Sequence, residues 1–520
     1  MQILISEEEI RAPIKRTDLL VALNQDTINK HAQEVADEGG IIFDGEKKLD
    51  TGICKPTTNQ FPIPLARLAN EAGNKELLSN TVAIGAVLAL TKGDLAKLTE
   101  LIREEFRNKG DEVVQMNIKA AESGYNYARE TFPDKIQERL QPKELTEKTI
   151  IVNGNEAAAM GAIAGGVQFA AIYPMSPVSN ILHVLAEYQE KFGYIYKQPE
   201  DEISAINMAI GAGFAGARAL TTTSGGGFCL MTEAYGLAAM TETPLVIIEG
   251  MRPGPATGLP TWSGQGDLQF ILHAHQGDFP RIVLAAGDTK EAFWLTAQAF
   301  NLAEKYQTPV VVIIDKNICE DDSSVPEFDL SGYNTDRGKI TKEFDADFSR
   351  YAPTDDGISI RSIPGKGNFF IGSSYEHDEK GLDTEEAQVT NQQQEKRMRK
   401  LLTCQKEDMP GPELFGPQDA DITLVSWGSN KGSILEAIRE RPNVNFLHLT
   451  WMSPFPTEAV KAVLTRAKYL IDVECNYSAQ LAQLIAEKTG IDIADKLLKY
   501  DGRPFWPEEI TEKINQVMKI

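Results

Sequence analysis

Residues 173–278 contain the four polar pieces that decide the fold, namely Tyr173-Pro174-Met175-Ser176-Pro177, Glu200-Asp201-Glu202, Thr223-Ser224-Gly225-Gly226-Gly227 and Met251-Arg252-Pro253-Gly254-Pro255-Ala256-Thr257-Gly258. Each piece follows or adjoins an apolar segment that is typical of a strand or a buried helix. In open parallel α/β sheets, ligand sites form at the carboxyl ends of the strands, in polar loops. The stretch therefore predicts a parallel α/β sheet whose strand ends carry an active site.

The composition of the chain is that of a soluble globular protein with several domains. Its 520 residues are 42% hydrophobic and 24% charged, and a chain of this length folds as roughly three or four domains. The formal net charge of -23 argues against nucleic-acid binding, because a polyanion needs a basic surface. The same charge disfavours binding to anionic membranes. We expect neither partner.

Cysteine use and hydropathy indicate a cytoplasmic protein. The five cysteines are Cys54, Cys229, Cys319, Cys404 and Cys475, and no two of them form a Cys-x-x-Cys pair. We therefore expect no disulfide framework, and no iron–sulfur cluster bound wholly by this chain. The sequence has no uncharged apolar stretch of about 18 residues, the length that predicts a transmembrane helix. Its first nine residues are too acidic for a signal peptide.

The periodicity of the sequence divides the chain into four segments. Residues 1–145 alternate short apolar runs with helical patterns, and a polar stretch near residues 133–148 marks a linker. In residues 146–330, strand patterns alternate with helical ones, which predicts a parallel sheet covered on both faces. Periodicity fades in residues 331–417, which we interpret as a long connection wrapped on the surface. Residues 418–520 again follow a βαβαβα pattern.

Two charged residues lie at positions where such a sheet would carry catalytic or substrate-binding groups. Glu202 opens a helical pattern that is largely apolar. It is either a first-turn residue that complements the helix dipole or a shielded carboxylate that exchanges a proton. Arg252 follows an apolar strand and precedes a loop rich in Gly and Pro. It suits two-pronged binding of a substrate carboxylate, although a surface ion pair is equally compatible with the pattern.

Smaller residues complete the candidate site. Ser176 lies between Pro174 and Pro177, which hold the backbone extended, so its hydroxyl suits either a ligand or a turn. Gly225, Gly226 and Gly227 allow a backbone to approach a bound molecule closely. His273 and His275 have a spacing that metal ligands can adopt, but no third ligand follows nearby. We predict no metal site on this chain.

Further motifs occur in a fixed order along the chain and carry a family resemblance. They are Asn153-Gly154-Asn155-Glu156-Ala157, Ala205-Ile206-Asn207-Met208-Ala209-Ile210-Gly211-Ala212, Gly264-Gln265-Gly266-Asp267-Leu268, Phe279-Pro280-Arg281, Glu376-His377-Asp378-Glu379 and Asp472-Val473-Glu474-Cys475-Asn476-Tyr477-Ser478. Together with the four polar pieces, they resemble the alpha subunit of 2-oxoacid:ferredoxin oxidoreductases, in the form that carries a fused gamma-type domain ahead of it.

The resemblance implies a fold for each segment and a reaction for the whole. It implies a partial gamma-type α/β domain over residues 1–145, a pyrimidine-binding domain for thiamine diphosphate over 146–330, and a transketolase C-terminal-like α/β domain over 418–520. The reaction would be a coenzyme-A-dependent oxidative decarboxylation of a 2-oxoacid, with electrons passed to ferredoxin. We expect 2-oxoglutarate as the substrate. Pyruvate or a branched-chain 2-oxoacid is the alternative, and a non-catalytic scaffold subunit is the alternative from another class.

The resemblance also implies roles for the candidate residues. Glu202 would hydrogen-bond the aminopyrimidine ring and favour the form that deprotonates the thiazolium carbon. Arg252 would hold the substrate carboxylate with Ser176 beside it. Residues 224–227 (Ser224, Gly225, Gly226 and Gly227) would line the cofactor.

A separate beta subunit is required by this interpretation. The chain has no Gly-Asp-Gly motif followed by the asparagine that marks magnesium-diphosphate binding. The beta subunit would hold the diphosphate, Mg²⁺ and a [4Fe-4S] cluster, and we expect an (alpha-beta)2 assembly.

Three departures from the family pattern are visible. The family usually has threonine at the position of Ser176 and commonly has proline at that of Gly226. Gamma-type domains normally open with a glycine-rich strand-turn-helix, and residues 1–145 lack that opening, so we expect them to form a truncated or reduced version of the domain.

Overall fold

The computed structural model describes residues 2–73, 76–135, 140 and 148–518. The chain forms two compact units. The smaller one comprises residues 14–146, and the larger one comprises residues 1–13 together with 147–520. This division differs from the expected one at the start of the chain, because the first 13 residues belong to the larger unit.

In the described residues, the smaller unit contains a three-stranded parallel sheet and five α-helices. Its strands run in the spatial order β1-β2-β3, and both neighbouring pairs are parallel. The elements are β1 (Thr17–Ala22), α1 (Gln25–His31), β2 (Val35–Asp44), β3 (Asn59–Ile63), α2 (Leu65–Gly73), α3 (Ser79–Leu90), α4 (Leu95–Phe106) and α5 (Asp111–Thr131).

Glycine lets α3 and α5 approach each other at backbone distance. A Cβ at Gly85 would lie 2.0 Å from the carbonyl oxygen of Ala121, and one at Gly124 would lie 2.0 Å from that of Val82. The two contacts are reciprocal, so any larger residue at either glycine would push the helices apart. Small residues therefore determine how this pair of helices packs.

The larger unit is built on a seven-stranded sheet with the order β17-β9-β10-β8-β7-β5-β6. Six of the strands are parallel, and β17 pairs with β9 in the antiparallel sense. The central strands β7, β8 and β10 are buried along their whole length, as in a sheet covered by helices on each side. The strands are β5 (Phe169–Ala171), β6 (Ile195–Lys197), β7 (Ala219–Ser224), β8 (Leu245–Met251), β9 (Ile282–Ala285), β10 (Pro309–Asp315) and β17 (Trp451–Ser453).

Side-chain caps begin four of the helices named below, α6, α8, α11 and α12. Asn153 and Glu156 form a reciprocal capping box at the start of α6, and the Asp201 carboxylate accepts the amide of Ser204 at 2.7 Å at the start of α8. The helices are α6 (Gly154–Ala164), α7 (Ser179–Phe192), α8 (Glu202–Phe214), α9 (Gly225–Met240), α10 (Leu268–His273), α11 (Thr289–Tyr306) and α12 (Lys316–Glu320). No helix in the described part of the chain is long and apolar enough to cross a membrane.

A second sheet of five strands lies in the same compact unit, with the order β14-β16-β15-β18-β19. Strand β17 belongs to the same segment of the chain as these strands, but it pairs with β9 in the seven-stranded sheet. The elements are β14 (Glu413–Phe415), β15 (Ile422–Ser426), α14 (Asn430–Ile438), β16 (Val444–His448), α15 (Thr457–Leu464), β18 (Tyr469–Glu474), α16 (Gln480–Thr489), β19 (Asp495–Leu498) and α17 (Pro507–Met518). Two short pairs complete the strands, β4 (Thr149–Val152) with β11 (Ser323–Pro326) and β12 (Ile340–Thr341) with β13 (Arg361–Ser362).

The segment expected to be a surface connection, residues 331–417, is more ordered and more buried than its sequence indicates. It contains α13 (Ala387–Glu407), a helix of 21 residues. Lys396, Arg397 and Lys400 of this helix are at most 1% exposed. The hydrophilic sequence of α13 does not indicate that one face of the helix is buried, because the buried side chains include basic residues.

A buried carboxylate accounts for the basic face. Glu242 is fully buried, and its two oxygens lie 2.6 Å from the ammonium groups of Lys396 and Lys400. Burial by itself would raise the pKa of Glu242, but these two lysines and Arg350 outweigh it and hold that pKa far below its usual range. The helix is therefore held to the protein by charge pairing in the interior.

We predict that Glu242→Gln destabilises the larger unit by about 3–5 kcal/mol, because it leaves two buried ammonium groups without their counter-charge. Urea unfolding of the variant measures this loss. Glu487→Gln is the control, since it breaks an exposed pair with Lys488 and should cost ~1 kcal/mol or less. Equal losses in both variants would show that the buried pair does not hold α13.

Candidate active site

Four neighbouring strands of the seven-stranded sheet supply the candidate residues. Strands β8, β7, β5 and β6 are consecutive in space and parallel, so their carboxyl ends meet at one edge. Ser176 lies in the loop after β5, Glu202 follows β6, residues 224–227 end β7 and begin α9, and Arg252 follows β8. The expected placement at strand ends is what the structure shows.

Glu202 is the first residue of α8 and is 2% exposed. Its Oε1 atom has no hydrogen-bond partner among the described residues. A Cβ at Gly227 would lie 2.5 Å from the same oxygen, which shows that the carboxylate lies against the glycine-rich turn. A buried oxygen in this state is free to accept a hydrogen bond from a bound molecule.

The glycine-rich turn presents backbone to this carboxylate. Ser224 precedes α9, and its buried Oγ likewise has no partner in the described ranges. A Cβ at Gly227 would lie 2.0 Å from the Thr223 hydroxyl, whereas one at Gly226 would find its nearest neighbour, the Met175 sulfur, at 3.9 Å. Gly227 is therefore required by close packing, and Gly226 opens onto free space.

Arg252 and Ser176 are brought together across the strand ends. The Nη1 atom of Arg252 donates to the carbonyl oxygen of Ser176 at 2.9 Å. The Ser176–Pro177 peptide is cis, and buried Asn155 donates to the carbonyl of Pro177 at 2.8 Å. The Ser176 side chain itself is exposed. The loop after β5 is thus held by an asparagine from α6, for which the sequence had suggested no role.

Two further carboxyl groups adjoin the site. Glu249 is fully buried within β8, and Asp267 precedes α10. A Cβ at Gly225 would lie 2.5 Å from the Asp267 carboxylate, and burial raises the pKa of that carboxyl, although Arg252 opposes the rise. Glu249 could have been found from the sequence, because it is a charged residue in the middle of the apolar run 245–251.

The sequence motifs 264–268 and 472–478 are joined by hydrogen bonds. The buried side-chain oxygen of Gln265 accepts hydrogen bonds from the backbone amide of Cys475 at 2.9 Å and from the side-chain amide of Asn430 at 2.8 Å. The side-chain nitrogen of Gln265 donates to the carbonyl oxygen of Trp427 at 3.0 Å. Asn476 donates to the backbone carbonyl of Gln265 at 3.0 Å. The loop 264–268 is thereby fastened to the end of β18.

The two histidines lie outside this cluster of groups. His273 pairs through Nδ1 with the carbonyl of Gln269 at 2.9 Å, and His275 pairs with that of Gln276. In the part of the chain that the structure describes, no three His, Cys, Asp or Glu side chains come together as metal ligands.

Comparison with known proteins places the chain in a family. Residues 160–397 match the family model described as the thiamine-diphosphate-binding part of pyruvate flavodoxin/ferredoxin oxidoreductase, and residues 1–127 match that of pyruvate ferredoxin/flavodoxin oxidoreductase. The alpha subunit of 2-oxoacid:ferredoxin oxidoreductase 1 from Sulfurisphaera tokodaii is 35% identical over an alignment of 531 residues, which covers 99% of this chain and 81% of that protein. The chain belongs to the family of 2-oxoacid:ferredoxin oxidoreductase alpha subunits. The resemblance found in its sequence is confirmed, and the chain is an oxidoreductase subunit.

Other relatives carry narrower names. The 2-oxoglutarate synthase subunit KorA of Methanothermobacter thermautotrophicus is 32% identical over 387 residues, or 72% of this chain and 100% of that one. A solved 2-oxoglutarate:ferredoxin oxidoreductase from Magnetococcus marinus, with 2-oxoglutarate, coenzyme A and succinyl-CoA bound, superposes with a TM-score of 0.91. It is 29% identical, and the match covers 98% of this chain and 90% of that one. The multidomain α/β fold expected from the sequence is confirmed.

The described residues fit the cofactor that this family domain is named for. An aminopyrimidine ring offers N–H donors, and Glu202 has a buried oxygen that has none. Gly226 leaves open space directly beside it. The chain thus presents an acceptor and a surface without side chains, which are two features that such a ring requires.

We predict that Gly227→Ala destabilises the larger unit by about 1–3 kcal/mol, because the added methyl group overlaps the Thr223 hydroxyl and the Glu202 carboxylate. Gly226→Ala is the matched control in the same helical turn, where the methyl group has room and alanine favours the helix. Thermal unfolding midpoints compare the two variants. A Gly227→Ala protein as stable as Gly226→Ala would contradict the close contact.

Proposed function

We propose that this chain is the alpha subunit of a 2-oxoglutarate:ferredoxin oxidoreductase. The reaction is 2-oxoglutarate plus coenzyme A plus two oxidised ferredoxins, giving succinyl-CoA, carbon dioxide, a proton and two reduced ferredoxins. The buried, unpartnered oxygen of Glu202 beside Gly227 is the observation that carries the catalytic part of this proposal. The narrower names of the relatives support the choice of substrate.

Each residue of the site has a role in the proposal. Bound here, thiamine diphosphate would supply the nucleophilic carbon that adds to the keto group and would hold the electrons released on decarboxylation. Glu202 accepts an N–H of the aminopyrimidine at Oε1 and holds the proton that the ring exchanges. Arg252 donates to the substrate carboxylate, with the Ser176 hydroxyl next to it. The backbone of residues 224–227 would line the space for the aminopyrimidine ring.

A partner beta subunit completes the site in this proposal. Helices α8 and α9 leave large apolar side chains in water, with Ile203 49%, Met208 46% and Leu230 50% exposed. All three residues lie on the two helices that begin at the site, and exposed apolar surface of this kind is typical of a protein interface. The partner would carry the diphosphate, Mg²⁺ and a [4Fe-4S] cluster. Two such pairs would give an (alpha-beta)2 assembly.

The test of the proposal is anaerobic purification of the chain from its host, followed by an assay of viologen reduction that depends on 2-oxoglutarate and coenzyme A. Activity in a peak that also contains a smaller, iron-containing chain is the expected result. Copurification without activity on any 2-oxoacid would instead indicate a scaffold subunit. A chain that elutes without iron and without thiamine diphosphate would contradict the proposal of a beta subunit.

We predict that Glu202→Gln lowers the turnover of the complex at least about 10²-fold, because the amide keeps the size of the side chain but cannot hold the proton. Glu200→Gln is the control, two residues away on the exposed surface, and should retain turnover within about twofold, as exposed substitutions usually do. Viologen reduction under saturating substrate measures both. Full turnover in Glu202→Gln would remove Glu202 from the mechanism.

We predict that Arg252→Lys raises KM for 2-oxoglutarate about tenfold with a smaller change in kcat, because lysine keeps the charge but loses the two-pronged donation to a carboxylate. Arg466→Lys, at an exposed position in another loop, serves as the control. Steady-state assays with 2-oxoglutarate, pyruvate and a branched-chain 2-oxoacid measure kcat/KM for each. If pyruvate gives the highest value in the wild-type complex, the substrate assignment is wrong.

A further inference from the structure

The loop that carries Arg252 is folded back on its own beginning. It runs over residues 252–267, from the end of β8 to the start of α10. In the middle of the loop, the amide of Leu259 donates to the carbonyl oxygen of Pro253 at 3.0 Å. Near its end, a Cβ at Gly264 would lie 3.2 Å from Cγ of Pro253. Two points of the loop therefore contact the residue that follows Arg252.

The end of this loop is held by the side chain of Gln265, which is fully buried. Its oxygen accepts hydrogen bonds from Cys475 and Asn430. Its nitrogen donates to the carbonyl oxygen of Trp427 at 3.0 Å and to Oδ2 of Asp315 at 3.4 Å. A primary amide can accept two hydrogen bonds and donate two. Gln265 therefore uses its whole capacity within the protein, and it joins the loop to both sheets.

Backbone groups on either side of Gln265 are attached to the same part of the chain. The amide of Ser263 donates to the carbonyl oxygen of Gly502 at 3.1 Å. The side chain of Gln480 donates to the carbonyl oxygen of Gly266 at 2.7 Å. Most of the middle of the loop is exposed. The position of the loop is therefore set at its end, by the segment that forms the five-stranded sheet.

The side chain of Arg252 depends on this support. In the described ranges, one hydrogen bond holds its guanidinium, from Nη1 to the carbonyl oxygen of Ser176 at 2.9 Å. A long side chain held at one point keeps much of its conformational freedom, and binding a substrate would remove that freedom at a cost. A fixed backbone at Arg252 and Pro253 reduces the number of conformations that reach the strand ends.

We propose that Gln265 is a positioning residue for Arg252. It fixes the end of the loop to the segment of the five-stranded sheet, and the contact of Gly264 with Pro253 fixes the backbone next to Arg252. This rests on the proposed function, in which Arg252 binds the carboxylate of the 2-oxoacid. Gln265 is buried and does not touch the substrate. It limits the conformations of the side chain that does, which lowers the entropy lost on binding.

Gly264→Ala tests the contact with Pro253 and leaves the hydrogen bonds of Gln265 in place. The added methyl group would displace Pro253 slightly. It should raise KM for 2-oxoglutarate about 3- to 10-fold, the cost of immobilising one long side chain, and change kcat less. Gly266→Ala is the matched control two residues further on, where a Cβ meets nothing within 4 Å. It should leave KM within about twofold of wild type.

Gln265→Met keeps the length of the side chain but removes its hydrogen bonds, and it should raise KM at least as much as Gly264→Ala. Gln269→Met is the matched control, because the amide of Gln269 also donates to the C-terminal segment, at the carbonyl of Gln480 (2.9 Å), but from α10 beyond the loop. Its KM should not change. A merely structural loss reduces the amount of folded complex, which lowers the apparent kcat and leaves KM unchanged.

Hydrogen exchange measures the hold on the loop without turnover. The backbone amides of Leu259 and Ser263 are hydrogen-bonded in the loop, and mass spectrometry of the complex should find faster exchange there in Gln265→Met than in wild type or Gln269→Met. Gln265→Glu keeps the two accepted hydrogen bonds and loses the donated ones. It replaces Gln265→Met in both measurements if that variant does not assemble.

The outcomes separate the parts of the proposal. Unchanged exchange in the loop overturns the hold by Gln265. An unchanged KM in Gly264→Ala, or an equal rise in Gly266→Ala, overturns the positioning role. A wild-type complex without activity on 2-oxoacids contradicts the proposed function, and the exchange rates still decide whether Gln265 holds the loop.

Discussion

The parallel alignment of four neighbouring strands is the constraint on which the candidate site depends. Because β8, β7, β5 and β6 run in one direction side by side, the loops that follow them open at one edge of the sheet. These loops carry Arg252, the turn 224–227, Ser176 and Glu202. Residues that are up to 76 positions apart, such as Ser176 and Arg252, become neighbours. A reversed strand in this set would move its residue to the opposite edge.

The larger unit buries carboxyl groups in two physically different ways. Glu242 remains ionised, because two lysines of α13 supply counter-charge in the interior. Glu249 has no hydrogen-bond partner among the described residues, and burial raises its pKa well above its usual range. The first arrangement holds a hydrophilic helix in place. The second lies in β8, the strand that ends just before Arg252.

Sequence patterns were reliable where burial is apolar and failed where it is polar. The strands expected within residues 146–330 are present, β8 and β10 among them, because an apolar run between turn residues has few other uses. Helix α13 was missed, because its buried face includes Lys396 and Lys400, and Glu242, which pairs with both, lies 154 residues from Lys396 in the sequence. Glu249 was passed over although it interrupts an apolar run, because its burial and its lack of a hydrogen-bond partner among the described residues follow from the packing of β8 between β7 and β10.

The sequence by itself determined the alternation of strands and helices, the glycine-rich turn, the residue types at the strand ends and the family of the chain. Each of these is a local property or an ordered set of motifs. Only the tertiary structure decided which groups touch: that the oxygen of Glu202 is buried against Gly227 without a donor in the described ranges, and that Arg252 reaches the loop of Ser176. Hydrogen bonding and the ionisation of buried groups depend on distances of a few ångström between residues remote in sequence, and the fold alone sets these distances.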